Sequence, residues 1–531
     1  MNTQQQTEVV VIGGTPGGVA AAIAAARRGR RVVLVEAHAH FGGMSASGLG
    51  KSDVEKRRLI GGLFREFTQR VRRRYDESFG PDSENAHLCQ SGYYYEPSVA
   101  EQVFLEMLQE HQGLTLLAEH RLVSAQCTGG AVVEATIASL RTGETTRLRG
   151  QVFIDATYEG DLLAAAGAQY RLGRESRDEF DEPHAGVVYF DYRRRRLLSG
   201  STGEGDDRLP AYTYRLCLTT NAENAHRMTA APPNYDRRVY LGYLDDLAAG
   251  RLAGPKTFKP GRGYEPAHFN TMVRALSVTP LPNGKTDVNI NPRPLGFPFP
   301  EENAAYVEGD ESQRRRTCDR IRELTLGLLW FLQTDAAIPT EHRNLANRYH
   351  LPGDEFADNA HFPFQLYVRE GRRLAGEFTL TEHDVTRQPD AGFNHQREAG
   401  AAHPDTVAIG EFPIDSFPCR KRQPGDRIVL EGYLGMLDHI TRPYEIPYRI
   451  MIPRTVDGLI VPVAASTSHV AFSSIRMEPT WMALGQAAGV AAHLAIRDRV
   501  PPRKAPIAEL QRQLTADGQI LEHQPLPTNA N

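Results

Sequence analysis

Cysteine is scarce and scattered in this chain. Its five cysteines, Cys89, Cys127, Cys217, Cys318 and Cys419, lie far apart and form no C-x-x-C pair. That spacing disfavours a disulfide framework and a zinc or iron–sulfur centre, so no metal is expected and a reducing compartment fits. Long apolar runs are also missing. The stretch Leu324 to Leu332 stops at Gln333, far short of the roughly 18 residues a membrane span needs, and reads as a buried helix segment. The residues Met1 to Thr7 ahead of the first apolar run are polar and leave no room for a secretory core. Nor is there an excess of charge: 61 basic against 65 acidic residues give −4, so no global field favours nucleic acid or an anionic membrane. Local basic runs (Arg72–Arg74, Arg193–Arg196, Arg314–Arg316, and Arg420, Lys421 and Arg422) stand close to acids and are expected on solvated faces or in ion pairs. Internal repeats and low-complexity tracts are absent. The expectation is a cytoplasmic, soluble protein of two or three domains, at 531 residues too long for one core.

The informative stretch lies near the start. Glu8 to Ile12 is a short run of β-branched residues, followed by Gly13-Gly14-Thr15-Pro16-Gly17-Gly18, an alanine-rich segment, and a second apolar run, Val32 to Val35, ending at Glu36 and Ala37. This order predicts strand, turn, helix, strand. Glycines in the turn let backbone approach a pyrophosphate at the positive end of the helix, and an acid at the end of the second strand can accept hydrogen bonds from both ribose hydroxyls. Thr15 stands where the G-x-G-x-x-G pattern has its second glycine. A residue with a Cβ prefers φ below zero, so either the backbone stands back from the phosphate or the hydroxyl makes a compensating hydrogen bond.

Further along, Pro97 to Glu110 has helical spacing, Leu114 to Leu117 and Leu122 to Ala125 read as short strands, and Gln151 to Asp155 opens another strand–turn–helix. From about 176 to 439 the chain is rich in Pro, Gly and aromatic residues, with alternating runs at Tyr212 to Leu218 and Asp287 to Ile290 and a helix near Arg320 to Gln333. Asp457 to Ala465 is a further apolar strand, and Pro479 to His493 a helix of small residues, which suggests a nucleotide fold completed from the far end of the sequence. The expected division is residues 1–175 with a helical excursion at 51–95, an inserted α+β substrate domain at 176–439, the rest of the nucleotide domain at 440–500, and a helix and tail at 501–531.

The segments Gly13 to Glu36, Phe41-Gly-Gly-Met44, Tyr95-Glu-Pro97, Phe153 to Leu162, Tyr367 to Gly376, Ser474 to Pro479 and Gly485-Gln-Ala-Ala-Gly489 together resemble the FAD-dependent oxidoreductase family, within the group that includes fumarate reductase and succinate dehydrogenase flavoproteins. The resemblance implies an α/β fold: a discontinuous Rossmann-like FAD-binding domain of the glutathione-reductase type with the inserted domain over it. It also implies FAD as the cofactor, with the adenosine half at Gly13 to Gly18, Glu36 and Ala37. A loop at Gly42, Gly43 and Met44 would pass along the ribityl or flavin part, where a side chain would force the ring away. Leu122, Asp155, Ala156, Thr157, Ala465, Ser466 and Met477 are further candidate cofactor neighbours, although Ser466 and Ser468 serve equally well as turn formers.

For the chemistry, Arg476 precedes the small-residue helix, where a cation and helix amides would stabilise the charge of a reduced flavin. His469 is the candidate acid/base, since similar flavoproteins place a histidine in this region and imidazole moves protons near neutral pH. Arg369 and Arg373 could clamp an acidic substrate. Alternatively, with Arg372 they could form one helical face paired to Glu370 or Glu377. Asn289, Asn291 and Tyr212 or Tyr214 are further cavity candidates. The expected function is hydride transfer between flavin N5 and a small polar substrate, either a C–H next to oxygen or nitrogen or an activated alkene, with an unidentified electron acceptor or donor. A flavin monooxygenase using NAD(P)H and oxygen and a non-catalytic nucleotide-binding regulator are the alternatives. A disulfide reductase is disfavoured, because there is one cradle and no cysteine pair.

Overall fold

The computed structural model of the protein describes residues 3–192, 194–248, 257–259, 263–265, 278–290, 300–386, 403–421 and 430–522. Arg193, Asn291 and Arg422 lie outside them. A five-stranded parallel sheet organises the molecule, in the order Leu459–Ile460, Val152–Asp155, Val9–Ile12, Val32–Val35, Leu114–Leu117. Parallel strands need both faces covered, which is why the inner ones are uninterrupted apolar runs rather than alternating ones. Every residue of Val9–Ile12, Val32–Val35 and Val152–Asp155 is buried. The chain is thus mixed α/β, and strands from near residue 9 and near residue 459 share one sheet.

One face is covered by helix Pro16–Ala26, which has Pro16 in its first turn and Thr15 as its cap, and whose alanines keep its profile thin. It packs against helix Glu478–Asp498 through glycine. A Cβ at Gly485 would fall 2.0 Å from the Gly17 carbonyl oxygen, and one at Gly489 would fall 2.3 Å from that of Ala21. The two helix backbones therefore touch directly.

A second, four-stranded sheet is built from Thr3–Gln6, Thr145–Arg149, Ala131–Ser139 and His120–Thr128. Leu122 lies in its outer strand, half-buried. Between residues 51 and 95 the chain is helical at Gly62–Phe79 and Glu84–Leu88, and the last helix is Ile507–Ala516.

The structure departs from the sequence expectations in three places. The strand expected over 457–465 is only Leu459–Ile460, because Pro462 has no N–H to offer a ladder and the Val461 amide bonds to Met451 instead. The helix near 320 begins earlier, at Glu311, where Asp310 and Gln313 form a reciprocal capping box, and runs to Thr334. Residues 369–372 are not helical, and Arg373–Leu374 pairs as a strand with Tyr170–Arg171. Among the basic runs, Arg72, Arg74 and Arg314 are ion-paired to Asp76, Glu106 and Asp161. No helix among the described residues is long and apolar enough to cross a membrane.

Candidate active site

At the carboxyl end of the parallel sheet the turn after Val9–Ile12 forms a cradle. Gly13 has φ +102°, and a Cβ there would lie 2.6 Å from the backbone of Ala156. Thr15 needs no such freedom, with φ −63° and ψ 166°. Its hydroxyl donates to the Ala156 carbonyl at 2.8 Å and accepts from the Gly18 amide at 3.2 Å, a bond that caps the helix. Threonine at this position adds what a glycine could not, a hydroxyl that ties the turn to the neighbouring strand and caps the helix.

Glu36 is 8% exposed. Its Oε2 accepts from the Gly14 amide at 2.6 Å, and its Oε1 from the His38 amide at 2.8 Å and contacts the His38 ring. Burial would raise its pKa, but the His38 side chain and these amides together hold it below the usual carboxylate value. An ionised carboxylate has about four acceptor sites, three of them taken here, so it can receive a second hydroxyl once the His38 ring moves off Oε1. A Cβ at Gly14 would stand 2.8 Å from Phe41 and 2.9 Å from the Glu36 Cβ, so only glycine leaves this corner open. No acid occupies the first turn of the Pro16–Ala26 helix. An anionic dinucleotide suits these features. Ala37 beside Glu36 is exposed.

The loop at 42–44 is glycine-rich for reasons internal to the protein. Gly42 has φ +109°, and a Cβ there would meet Phe104 at 2.5 Å, while one at Gly43 would meet the Tyr158 hydroxyl at 2.5 Å. The Met44 amide donates to that hydroxyl, which donates in turn to Glu478. Burial pushes Glu478 up to about 8. Asp155 is fully buried and already saturated by the Thr157 amide and hydroxyl and the Leu163 amide, and burial raises it to about 6. Ala465 is buried, the Ser466 hydroxyl accepts from the Gly376 amide, and Met477 caps the Glu478–Asp498 helix by backbone alone.

Both candidates for the chemistry meet at one small cavity. His469, which opens helix His469–Ile475 after the Ser468 cap, and Arg476, which ends it, both line a space of about 10 Å³. That is near the room one water needs. Arg369, the substrate candidate, lines it too, with Glu370, Asp415 and Phe417. Arg373, Asn289, Tyr212 and Tyr214 are not in its lining. Arg373 is spent on Glu175 and Glu370, and Tyr212 donates to the Glu370 carbonyl.

Arg369 is unlike its neighbours. It is fully buried, one Nη donates to the Ala211 carbonyl at 2.6 Å, and its Nε and other Nη have no hydrogen-bond partner. Its guanidinium lies 3.7 Å from the ring centre of Phe417 and 4.3 Å from that of Tyr367. Burial, with a smaller push from Arg476, lowers its pKa to about 9. Across the cavity, His469 Nδ1 stands 2.8 Å from Glu370 Oε2. Burial would depress the imidazole, but the Glu370 carboxylate and the Cys419 side chain outweigh it and raise it to about 10. It is an imidazolium at neutral pH. Arg476 donates to the Tyr367 hydroxyl at 3.0 Å and the Asp415 carbonyl at 2.7 Å.

Sequence reasoning missed Asp415 and Phe417, which sit in no motif. Glu370 lay inside a recognised segment but was weighed only as an ion-pair partner.

Among curated proteins, none matches the chain. Solved structures similar to parts of it include the P. horikoshii L-proline dehydrogenase, at 14% identity and TM-score 0.20 over 34% of this chain and 26% of that one. Another is the Bacillus halodurans glycerol-3-phosphate dehydrogenase complexed with FAD, at 16% and 0.24 over 39% and 46%. E. coli quinol fumarate reductase FrdA aligns at 12% and 0.35 over 97% of this chain and 74% of that one. The chain thus spans well under two thirds of the first two, and none of these likenesses bears on the reaction. A family model, in contrast, matches residues 8–514, nearly the whole chain, and by that match the protein is an enzyme that uses FAD and belongs to the FAD dependent oxidoreductase family.

Proposed function

We propose that the protein transfers a hydride between a small organic substrate bearing an anionic group and N5 of FAD. The unpartnered Arg369 guanidinium carries the reading. A buried cation with two unpaired nitrogens shares one cavity with the cations of His469 and Arg476 and only two carboxylates, Glu370 and Asp415, which leaves the lining one anion short. A carboxylate would accept both bonds in parallel, the arrangement a guanidinium favours. The cavity is smaller than such a substrate, so the side chains that line it must shift on binding.

FAD, when bound, supplies a two-electron acceptor or donor. Gly13 to Gly18 and Glu36 would hold its adenosine half, with Gly42 to Met44 and the Ala465–Ser466 turn beside the rest. Leu122 and Asp155 to Thr157 support this cradle as neighbours. Arg369 orients the substrate's anionic end. His469 donates a charged N–H to the reacting oxygen or nitrogen, and Glu370 fixes its ring. Arg476 places positive charge at the start of the Glu478–Asp498 helix, which would favour a cofactor that gains negative charge on reduction. The cofactor domain on this reading is a discontinuous, glutathione-reductase-type unit made of residues 1–175 and 440–500. Residues 176–439 form the inserted α+β domain that closes over the substrate, as the sharing of one sheet by strands near residues 9 and 459 suggests.

Anaerobic mixing of the flavin-loaded protein with a metabolite panel tests the proposal. Bleaching of the flavin absorbance, or its return in the reduced protein, is expected from carboxylate-bearing members and not from their esters. A flavin that exchanges electrons with no member of either kind refutes it.

A further inference from the structure

Asp415 belongs to the cavity but to none of the roles given so far. Its backbone is fixed, with the amide donating to the Ser473 carbonyl at 3.2 Å and its own carbonyl accepting from Arg476 at 2.7 Å. The carboxylate is not. Among the described residues its one close contact is Arg476 Nη2, 3.5 Å from Oδ2, and 23% of the side chain's surface is open. The residue lines the cavity together with Arg369, His469 and Arg476. The other carboxylate in the lining, Glu370, is engaged by His469 and Arg373.

Resting on the hydride-transfer reading above, we propose that Asp415 is the catalytic residue that accepts the substrate's proton, which makes the reaction an oxidation of an anionic alcohol or amine. The O–H or N–H bond breaks and its proton goes to the Asp415 carboxylate. The lone pair left behind forms the C=O or C=N bond, and the adjacent C–H bond gives up its hydride to oxidised FAD, the oxidant the family supplies. His469 is the poorer acceptor of this proton, because the Glu370 carboxylate against its Nδ1 favours the imidazolium, which has no lone pair to offer. It stabilises the developing charge instead. Asp415 suits the task electrostatically. Burial raises its pKa and Asp53 adds to the rise, against the attraction of Arg476, Arg369 and Arg215, so its ionised form is a stronger base than an exposed aspartate. His469 and Glu370 complete the charged groups facing it.

The test uses flavin-loaded protein, with malonate as a non-oxidisable anionic probe. Malonate affinity, read at pH 7 from perturbation of the flavin spectrum, should be at least tenfold higher in Asp415→Asn than in the wild type at undiminished flavin content, because the variant lacks the carboxylate that repels the probe. Flavin reduction by anionic alcohols or amines should slow about 10³-fold in D415N, with loss of the rising limb of the pH–rate profile. If D415N fails to take up flavin, D415E keeps a carboxylate and should keep the limb at a shifted pH. Reduction in D415N within threefold of the wild type, or the same malonate affinity in both, overturns the proposal. So does a wild type that is oxidised by unsaturated acids but never reduced by alcohols or amines, an outcome that leaves hydride transfer itself standing. A flavin inert to every class sinks hydride transfer as well.

Discussion

Replacing Arg369 by methionine should make the protein more stable and less able to bind an anion. The guanidinium is fully buried, makes one hydrogen bond to the Ala211 carbonyl and leaves two nitrogens unpaired. A pKa lowered from 12.5 to about 9 corresponds to roughly 5 kcal/mol by which burial disfavours the charged form, at about 1.4 kcal/mol per unit. Methionine keeps most of the packing on Phe417 and Tyr367, while losing one hydrogen bond worth about 1–2 kcal/mol and ring contacts worth about 0.5–2 kcal/mol. The balance is a gain of about 1–3 kcal/mol, within the range seen when buried ionic groups are replaced by apolar ones. The sign with pH follows. The folded protein binds fewer protons than the unfolded chain between pH 9 and 12.5, so the handicap of Arg369 is present below 9 and shrinks above it. Denaturant unfolding of the flavin-loaded protein at pH 7 measures the gain. Adding a small carboxylate should then raise the wild-type transition by about RT ln(1 + [L]/Kd) and leave Arg369→Met unmoved. A variant destabilised by more than 2 kcal/mol, or stabilised by the carboxylate as much as the wild type, would refute the reasoning (threshold about the size of one buried hydrogen bond).

His469→Gln should retain its flavin and lose roughly 10²-fold in turnover, measured as the rate of anaerobic flavin reduction; unchanged turnover removes the imidazolium from the mechanism. Glu36→Ala should weaken FAD binding on the order of 10²-fold, the loss of two charge-assisted bonds, seen as a lower flavin-to-protein ratio after gel filtration; full retention would mean that the ribose is held elsewhere. Glu182 is buried beside Ser468 and the Glu382 amide, and burial with the nearby Glu382 carboxylate raises it to about 8. The folded state therefore holds a proton that the unfolded chain releases near 4.5, and stability present below 4.5 is lost as pH rises to 8. Glu182→Gln should remove that loss, raising stability at pH 8 by on the order of 4 kcal/mol but little at pH 4.5; equal effects at both pH values would contradict the assignment.

The parallel sheet was legible because its strands carry their own signal: Val9 to Ile12 and Val32 to Val35 are apolar on both faces, and the glycine turn and Glu36 punctuate them. Arg476 was singled out by its place before a small-residue helix, and His469 by the family resemblance. What the sequence could not reveal is which charge goes unpaired. Arg369 and Arg373 look alike in Arg369-Glu-Gly-Arg-Arg373, and only the fold gives one of them Glu175 and the other the rings of Phe417 and Tyr367. Asp415 was invisible for the same reason, since Phe412-Pro-Ile-Asp415 is an ordinary loop until Arg476, some sixty residues on, folds against it. The overlong strand at 457–465 was an error of composition, in which apolar content outweighed a proline that ends the ladder.

The glycine contacts of Gly485 and Gly489 on Gly17 and Ala21 also bear on how the protein is born. The amino-terminal strand and helix leave the ribosome first, yet the surface that buries them is translated last. At roughly 5–20 residues per second they would wait on the order of 25 to 100 seconds for it. During that interval the face of the alanine-rich helix that meets Gly485 and Gly489 stands uncovered, so the nascent chain is expected to need a chaperone, and to capture its flavin only after release.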